Sequence, residues 1–261
     1  MSSYQLGRYD IKEVQLKMLE ILTEIDRICN KYHLRYLLDG GTMLGAVRHK
    51  GFIPWDDDAD VMMPRDDYDQ FLKVANDELR QKNMVFQCIE NTRAYPYNFG
   101  KVFLENTRFV ERFTAKLDIS HGVYVDVFPM DYVDTAHYMQ HSKMIGHYTM
   151  LRYYKLGISK RAKGLIAKPM PLSLINAGAN AHMKYLKKKS GLVCKLCHHG
   201  KNKPPIPISL FDHYTELPFE GRMLRVPYEY DDFLKGRYGD YMRLPDKEHR
   251  VPIHDLLEIE I

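Results

Sequence analysis

The chain has 261 residues and a net charge of +4, from 38 Lys or Arg against 34 Asp or Glu. That length holds one large domain or two small ones, and the ordinary apolar and charged content excludes disordered and fibrous classes. Four cysteines make no disulfide scaffold, no apolar run approaches the ~20 residues that cross a bilayer, and the opening MSSYQLGRYDIKEVQ lacks an export-signal pattern, so a reducing cytoplasm is expected.

Ile11, Val14, Met18, Ile21, Leu22, Ile25 and Cys29 recur at steps of three and four, which predicts one amphipathic helix over Ile11 to Tyr32. Arg35 to Leu38 reads as a short buried strand ending in a tight turn at Asp39-Gly40-Gly41. Thr42 is placed to cap a helix running through Met43, Leu44, Ala46 and Val47. An aspartate-rich stretch follows, then a helix from Arg65 to Leu79. Strands are predicted at Met84 to Ile89, Phe99 to Leu104, Arg108 to Phe113 and Gly122 to Phe128. This order is that of an α/β or α+β protein with a mixed sheet.

The composition changes near Asp131. Residues 135–211 hold no Asp or Glu but 14 Lys or Arg. Helices are expected around Tyr138 to Leu156 and Leu172 to Lys189, and a Lys- and Pro-rich loop, Lys201 to Pro207, precedes a mixed C-terminal piece. One-sided charge on this scale points to an anionic partner: acidic lipid headgroups, a phosphate-rich substrate or nucleic acid.

The chemistry concentrates in GFIPWDDDADVMMPRDDY, Gly51 to Tyr68. Asp56, Asp57, Asp58 and Asp60 are wedged between apolar segments, where like charges repel and raise one another's pKa values. On an extended backbone Asp56, Asp58 and Asp60 share one face. Carboxylates so spaced can share Mg²⁺, which takes hard oxygen ligands together with substrate phosphates; a charged turn capping the next helix is the plainer alternative. Gly40-Gly41-Thr42, at a strand-to-helix turn, lets a phosphate approach the backbone. Asp126, alone among Val125, Val127 and Phe128 in HGVYVDVFPMD, is costly unless paired or metal-bound.

A glycine turn, an Asp-x-Asp pair and a third carboxylate, in this order, resemble the nucleotidyltransferase superfamily. The longer words LLDGGTMLGAVRHKGFIPWDDDADVMMPRDDYDQF, YPYNFGKVFLENTRFVE, HGVYVDVFPMD and FEGRMLRVPYEYDDFLKGRYGDYMRLPDKEHR resemble the LicD family, phosphocholine transferases of bacterial surface glycans and teichoic acids related to the fukutin group. The resemblance spans most of the chain and is weakest in the basic middle. It implies an α+β fold, a nucleotidyltransferase-like mixed sheet flanked by helices. Residues 1–132 would form the catalytic core, with the basic helical segment and C-terminal block of 133–261 packed on it. It also implies that Gly40, Gly41 and Thr42 hold phosphate, that Asp58, Asp60 and Asp126 bind one or two Mg²⁺ (or Mn²⁺), and that Asp126 helps deprotonate the attacking hydroxyl. Asp56 is expected behind the metal ligands and Asp57 in local structure.

The implied donor is a CDP-alcohol such as CDP-choline, and the implied acceptor an anionic or lipid-linked glycan, with the basic segment on that acceptor or on the inner membrane leaflet. Arg48, His49, Arg65 and Lys101 are candidate substrate cations, each with the alternative of pairing nearby aspartates; for Arg48 and Lys101 substrate contact is the preferred reading. His121 is a candidate proton carrier or a loop-fixing residue, and Arg237, Tyr238 and Arg250 are candidates from the C-terminal block. Trp55 reads as core packing rather than a stacking platform, and Tyr95, Tyr97, Tyr153 and Tyr154 could cage a choline. CKLCHH, with Cys194, Cys197, His198 and His199, fits haem-attachment or zinc patterns by chance more than by context. A second function on the same fold, nucleotidyl transfer to RNA, suits the basic charge but lacks an RNA-binding motif. A third is a non-catalytic binding protein, against which the intact carboxylate set argues.

Overall fold

In the computed structural model, the described residues are 4–159, 169–186, 190–197 and 204–261. A short hairpin, β1 (Gln5–Leu6) and β2 (Tyr9–Asp10), leads into helix α1 (Ile11–Lys31). Asp10 caps α1 by accepting the Lys12 amide, while Glu13 accepts the Asp10 amide in return, satisfying donors that a helix start otherwise leaves free. All seven residues of the expected apolar stripe are buried.

The main sheet is built around β8 (Val123–Tyr132), whose ten residues are all buried. On one edge β8 pairs in parallel with β4 (Asp60–Pro64), and β4 pairs antiparallel with β3 (Leu37–Leu38). The other edge takes β6 (Gly100–Leu104) along its first half, with β5 (Met84–Gln87) outside it, and β9 (Leu192–Cys194) with β10 (Ile206–Pro207) at its end. β8 runs beyond the expected end at Phe128 because Pro129 falls between the partner stretches. β6 ends opposite Val127 and β9 begins opposite Asp131, so the missing proline N–H removes no ladder bond there. The fold is thus α+β with a mixed sheet.

Helices α1 and α3 (Arg65–Leu79) cover one face of the sheet. The helix after the glycine turn, α2 (Gly40–His49), starts earlier than expected. Gly40, with a φ of +56°, lets the chain turn directly from strand into helix, so Thr42 lies inside the first turn and is not the cap. The basic segment supplies α4 (Tyr138–Lys155) and α5 (Leu172–Met183), which pack together and onto the core. Arg152 of α4 is fully buried and donates to Asn98 Oδ1 (2.6 Å), Pro96 O (3.2 Å) and Asn176 Oδ1 (2.8 Å). α5 ends at Met183; of the expected continuation to Lys189, Lys187 to Lys189 lie outside the described residues.

The C-terminal block forms the hairpin β11 (Tyr214–Phe219) and β12 (Arg222–Pro227), then helix α6 (Tyr230–Tyr238). The last strand, β13 (Leu256–Glu260), returns to pair with β7 (Arg108–Glu111). Among the described residues no helix is long and apolar enough to cross a membrane.

Candidate active site

The parallel register of β4 and β8 sets Asp60 beside Asp126, and the antiparallel register of β6 and β8 sets Lys101 across from Asp126. One sheet face therefore carries both acids at the mouth of the strands. Formal strand begins only at Asp60, yet the alternation holds upstream: Asp57 and Ala59 are buried, while Asp56 and Asp58 are only partly so.

The glycines bring carboxylates close to backbone. A Cβ on Gly40 would lie 2.6 Å from Asp60 Oδ2, and one on Gly41 would strike the Asp56 carboxylate. Both acids thus lie against the first turn of α2, where free amides and the helix dipole favour negative charge. Thr42 Oγ1 accepts the Asp60 amide (2.8 Å), fixing the start of β4.

Crowding and burial act together on these acids. Burial, then the Asp60 charge, pushes Asp56 up to about 7. Burial and the Asp56 charge lift Asp58 well above the carboxylate range, and burial and Asp58 do the same for Asp60. Asp126 is also raised by burial, against the pull of Lys101 Nζ at 2.7 Å. Lys101 is itself buried and sits 3.3 Å from the Tyr124 ring centroid. Its ammonium pairs with Asp126, the alternative role weighed for it.

Asp57 points the other way. Burial would raise it, but the amides of Ile253 and His254 and the His254 ring (Nδ1 at 3.0 Å) outweigh burial and bring it below the ordinary range. His254 is raised in turn, because Asp57 overcomes the effect of burial. Pairing of β13 with β7 carries His254 there, supported by Arg108–Glu258 (2.5 Å) and Arg112–Asp255 (2.8 Å).

A second charge group adjoins Asp60. Asp39, at the end of β3, is fully buried, and both Lys195 and Arg237 donate to it. Burial alone would raise Asp39; the two cations overcome it and hold Asp39 well below the carboxylate range. Arg237 and Tyr238 were weak candidates from sequence and do reach this region. Lys195 and His254 were missed. Lys195 left a usable signal, a lone cation in the apolar run LVCKLC; His254 left none, since only long-range strand pairing places it.

The remaining candidates are scattered. Arg65 begins α3 at the far end of β4 and is buried against Asp131 (2.6 Å) and Asp69 (3.4 Å). Arg48 donates to Tyr241 O (2.8 Å) and, with half-buried Trp55, lines a separate cavity of about 410 Å³ beside the C-terminal block. His49 and Arg250 both lie against the Trp55 ring. His121 Nε2 lies 3.1 Å from Leu117 O, a loop contact. Tyr97 stacks on Phe99 and meets Tyr95, while Tyr153 meets Phe113, so these rings fill one another's space. Cys194 and Cys197 are buried thiols, and His198 and His199 lie outside the described residues.

The acids fit a hard divalent cation. They are buried or half-buried carboxylates in excess over cations: Asp56, Asp58, Asp60 and Asp126 share the face with one close lysine, Lys101, on Asp126 Oδ1. The trio is looser than a closed cage. Among the described residues, the one set of three acid, His or Cys groups with ligand atoms within 4.8 Å of one another is Asp246, Glu248 and His249, all exposed.

Residues 33–159 match the family described as LicD/FKTN/FKRP, nucleotidyltransferase domain. The chain is 31% identical, over 95% of its own length and 97% of the relative's, to lipopolysaccharide cholinephosphotransferase LicD of Haemophilus influenzae. The chain belongs to the LicD family. Uncharacterised proteins of Rickettsia typhi and Rickettsia prowazekii share shorter stretches, 35% identical over 28% of this chain and 34% over 26%, covering 24% and 26% of their own lengths. The family match takes in the glycine turn, every acid of the cluster and Lys101, while Lys195, Arg237 and His254 lie beyond it.

Proposed function

We propose that this LicD-family chain moves phosphocholine from CDP-choline to a hydroxyl of a surface glycan such as lipopolysaccharide or a teichoic acid precursor. The observation that carries this reading is the convergence of Asp56, Asp58, Asp60 and Asp126 on one sheet face against Gly40 and Gly41. The relationship to the Haemophilus enzyme supports the choice of phosphocholine. Asp58, Asp60 and Asp126 would hold Mg²⁺, with Mn²⁺ as a substitute. Bound there, the ion would neutralise the donor diphosphate as charge develops in phosphoryl transfer.

The chain's own groups do the rest. An acceptor hydroxyl oxygen attacks the phosphorus distal to cytidine, the bridging P–O bond breaks, and CMP leaves. The hydroxyl proton passes to the Asp126 carboxylate, which Lys101 orients (2.7 Å). Thr42 fixes Asp60 through its amide, and the Asp57–His254 contact anchors the loop bearing Asp58. The segment 135–211, with its 14 Lys or Arg and no acid, and with Met139, Met144 and Leu174 exposed on its helices, suits the inner leaflet of a membrane approached from the cytoplasm.

The test is CMP release from CDP-choline, CDP-ethanolamine, CDP-glycerol and CDP-ribitol with glycan acceptor and Mg²⁺. Preference for CDP-choline, lost on chelation and in the Asp58→Asn, Asp60→Asn double variant, is the expected result. Turnover that survives both treatments would overturn the reading.

A further inference from the structure

Met62 and Met130 lie on the same strand faces as Asp60 and Asp126, farther along β4 and β8. There they floor a cavity of about 300 Å³ that Ile206 and Phe233 also line, with Lys195 and Arg237 in its wall. The volume is at the small end of the range for ligand sites. The cavity is thus apolar beneath, positive at one wall, and continuous with the strands that carry the acids.

Gly236 marks the opening. It stands within α6, where a glycine costs about 1 kcal/mol relative to alanine. A helical glycine is commonly explained by a close neighbour or by a positive φ. Here a Cβ would meet nothing within 4 Å, and the φ is not among the positive ones. Gly236 is exposed, and the open space at its Cα adjoins the cavity that it lines.

The charges select the ligand. Lys195 and Arg237 put two cations in the wall against the one buried acid they bind, Asp39, with Asp60 standing next beyond them. The bond from Arg237 to Asp39 uses Nη1, one of three guanidinium nitrogens that together carry five N–H donors. Asp232 also lines the cavity but is exposed, where solvent and salt screen it. A quaternary ammonium would meet two cations here, and a wholly polar phosphate would leave the methionine floor unused.

We propose that this cavity binds the phosphate ester of an apolar alcohol. Its phosphate contacts Lys195 and Arg237, and its apolar group lies over Met62, Met130 and Phe233. In the transfer reaction this would seat the lipid-phosphate portion of the acceptor beside Asp60. That role rests on the transferase reading; the binding does not.

The experiment is isothermal titration of the full chain with octyl phosphate below its micellar threshold, beside glycerol phosphate, octyl glucoside and octyltrimethylammonium. Octyl phosphate is expected to bind at least tenfold more tightly than the other three. Gly236→Leu, which fills the cavity, should weaken that binding at least tenfold without lowering the melting temperature, and Gly236→Ala should weaken it less. The Asp58→Asn, Asp60→Asn double variant should bind octyl phosphate at least as tightly as wild type, since it removes negative charge beside Lys195 and Arg237. Undiminished binding by Gly236→Leu, or equal binding of glycerol phosphate or the ammonium probe, would overturn the inference. Wild-type protein that releases CMP but ignores octyl phosphate refutes this inference alone. Protein that binds octyl phosphate but never releases CMP refutes the transferase reading alone.

Discussion

Strand β8 carries two buried acids, Asp126 and Asp131, whose side chains point to opposite faces of the sheet. Each has one close cation, Lys101 at 2.7 Å and Arg65 at 2.6 Å. At Asp131 the guanidinium meets the acid beneath α3, away from water, and burial pushes the carboxyl up to about 6 despite Arg65. At Asp126 the lysine must serve a face that also bears Asp56, Asp58 and Asp60, and the site opens at the strand mouths. A buried charge with its own partner is structure. Surplus buried charge of one sign, beside an opening, is a binding site for the opposite charge.

The largest expected effect lies on the Asp126 side. Asp58→Asn with Asp60→Asn should lower CMP release from CDP-choline by about 10³-fold or more, some 4 kcal/mol of barrier, with the fold retained by circular dichroism. A small loss would break the comparison, because surplus acid would then have no function.

Next in size is the Asp131 side. Asp131→Asn alone should cost less than Arg65→Met alone, because Asp69 still pairs with Arg65. Arg65→Met alone should cost about 3–5 kcal/mol in denaturant unfolding, since it leaves the buried Asp131 without its cation. Arg65→Met combined with Asp131→Leu should recover most of that. Asp126→Asn should cost less, because losing the partner of Lys101 is offset by relief among the neighbouring acids.

Gly40→Ala sharpens the comparison from the backbone. It strains a φ of +56° and pushes a methyl at Asp60, so about 1 kcal/mol of stability should go, with a larger proportional loss of Mg²⁺ affinity by titration calorimetry. Asp39 gives the pH test. Its folded pKa is depressed, so its contribution is present above the unfolded value near ~4 and is lost as pH falls further. The stability gap between wild type and Asp39→Asn should be wide at pH 7 and shrink below pH 4. Smallest of all, Glu258→Gln at the exposed Arg108 pair should leave the denaturation midpoint almost unchanged.

Local pattern carried much of this molecule. The stripe on α1, the strand–turn–helix at Asp39 to Thr42 and the lone acid in HGVYVDVFPMD were legible because periodicity and a misplaced charge are properties of neighbouring residues. Thr42 was misassigned because a hydroxyl beside two glycines looks like a cap, whereas Gly40 lets the helix start sooner and frees the hydroxyl for the Asp60 amide. The Lys101–Asp126 pair itself was not legible, because the two residues lie on different strands. His254 stayed out of sight because β13 delivers it from far along the chain, and Lys195, though a lone cation in LVCKLC, reaches the site only through the pairing of β9 with β8.

The most direct test of the account is the thermal shift given by Mg²⁺ with CDP-choline in three proteins: wild type, Asp126→Asn, and the Arg65→Met, Asp131→Leu double variant. Wild type and the double variant should both gain melting temperature by mass action on the native state, and Asp126→Asn should not. An undiminished shift in Asp126→Asn, or a shift lost only in the double variant, would contradict the assignment of the two faces.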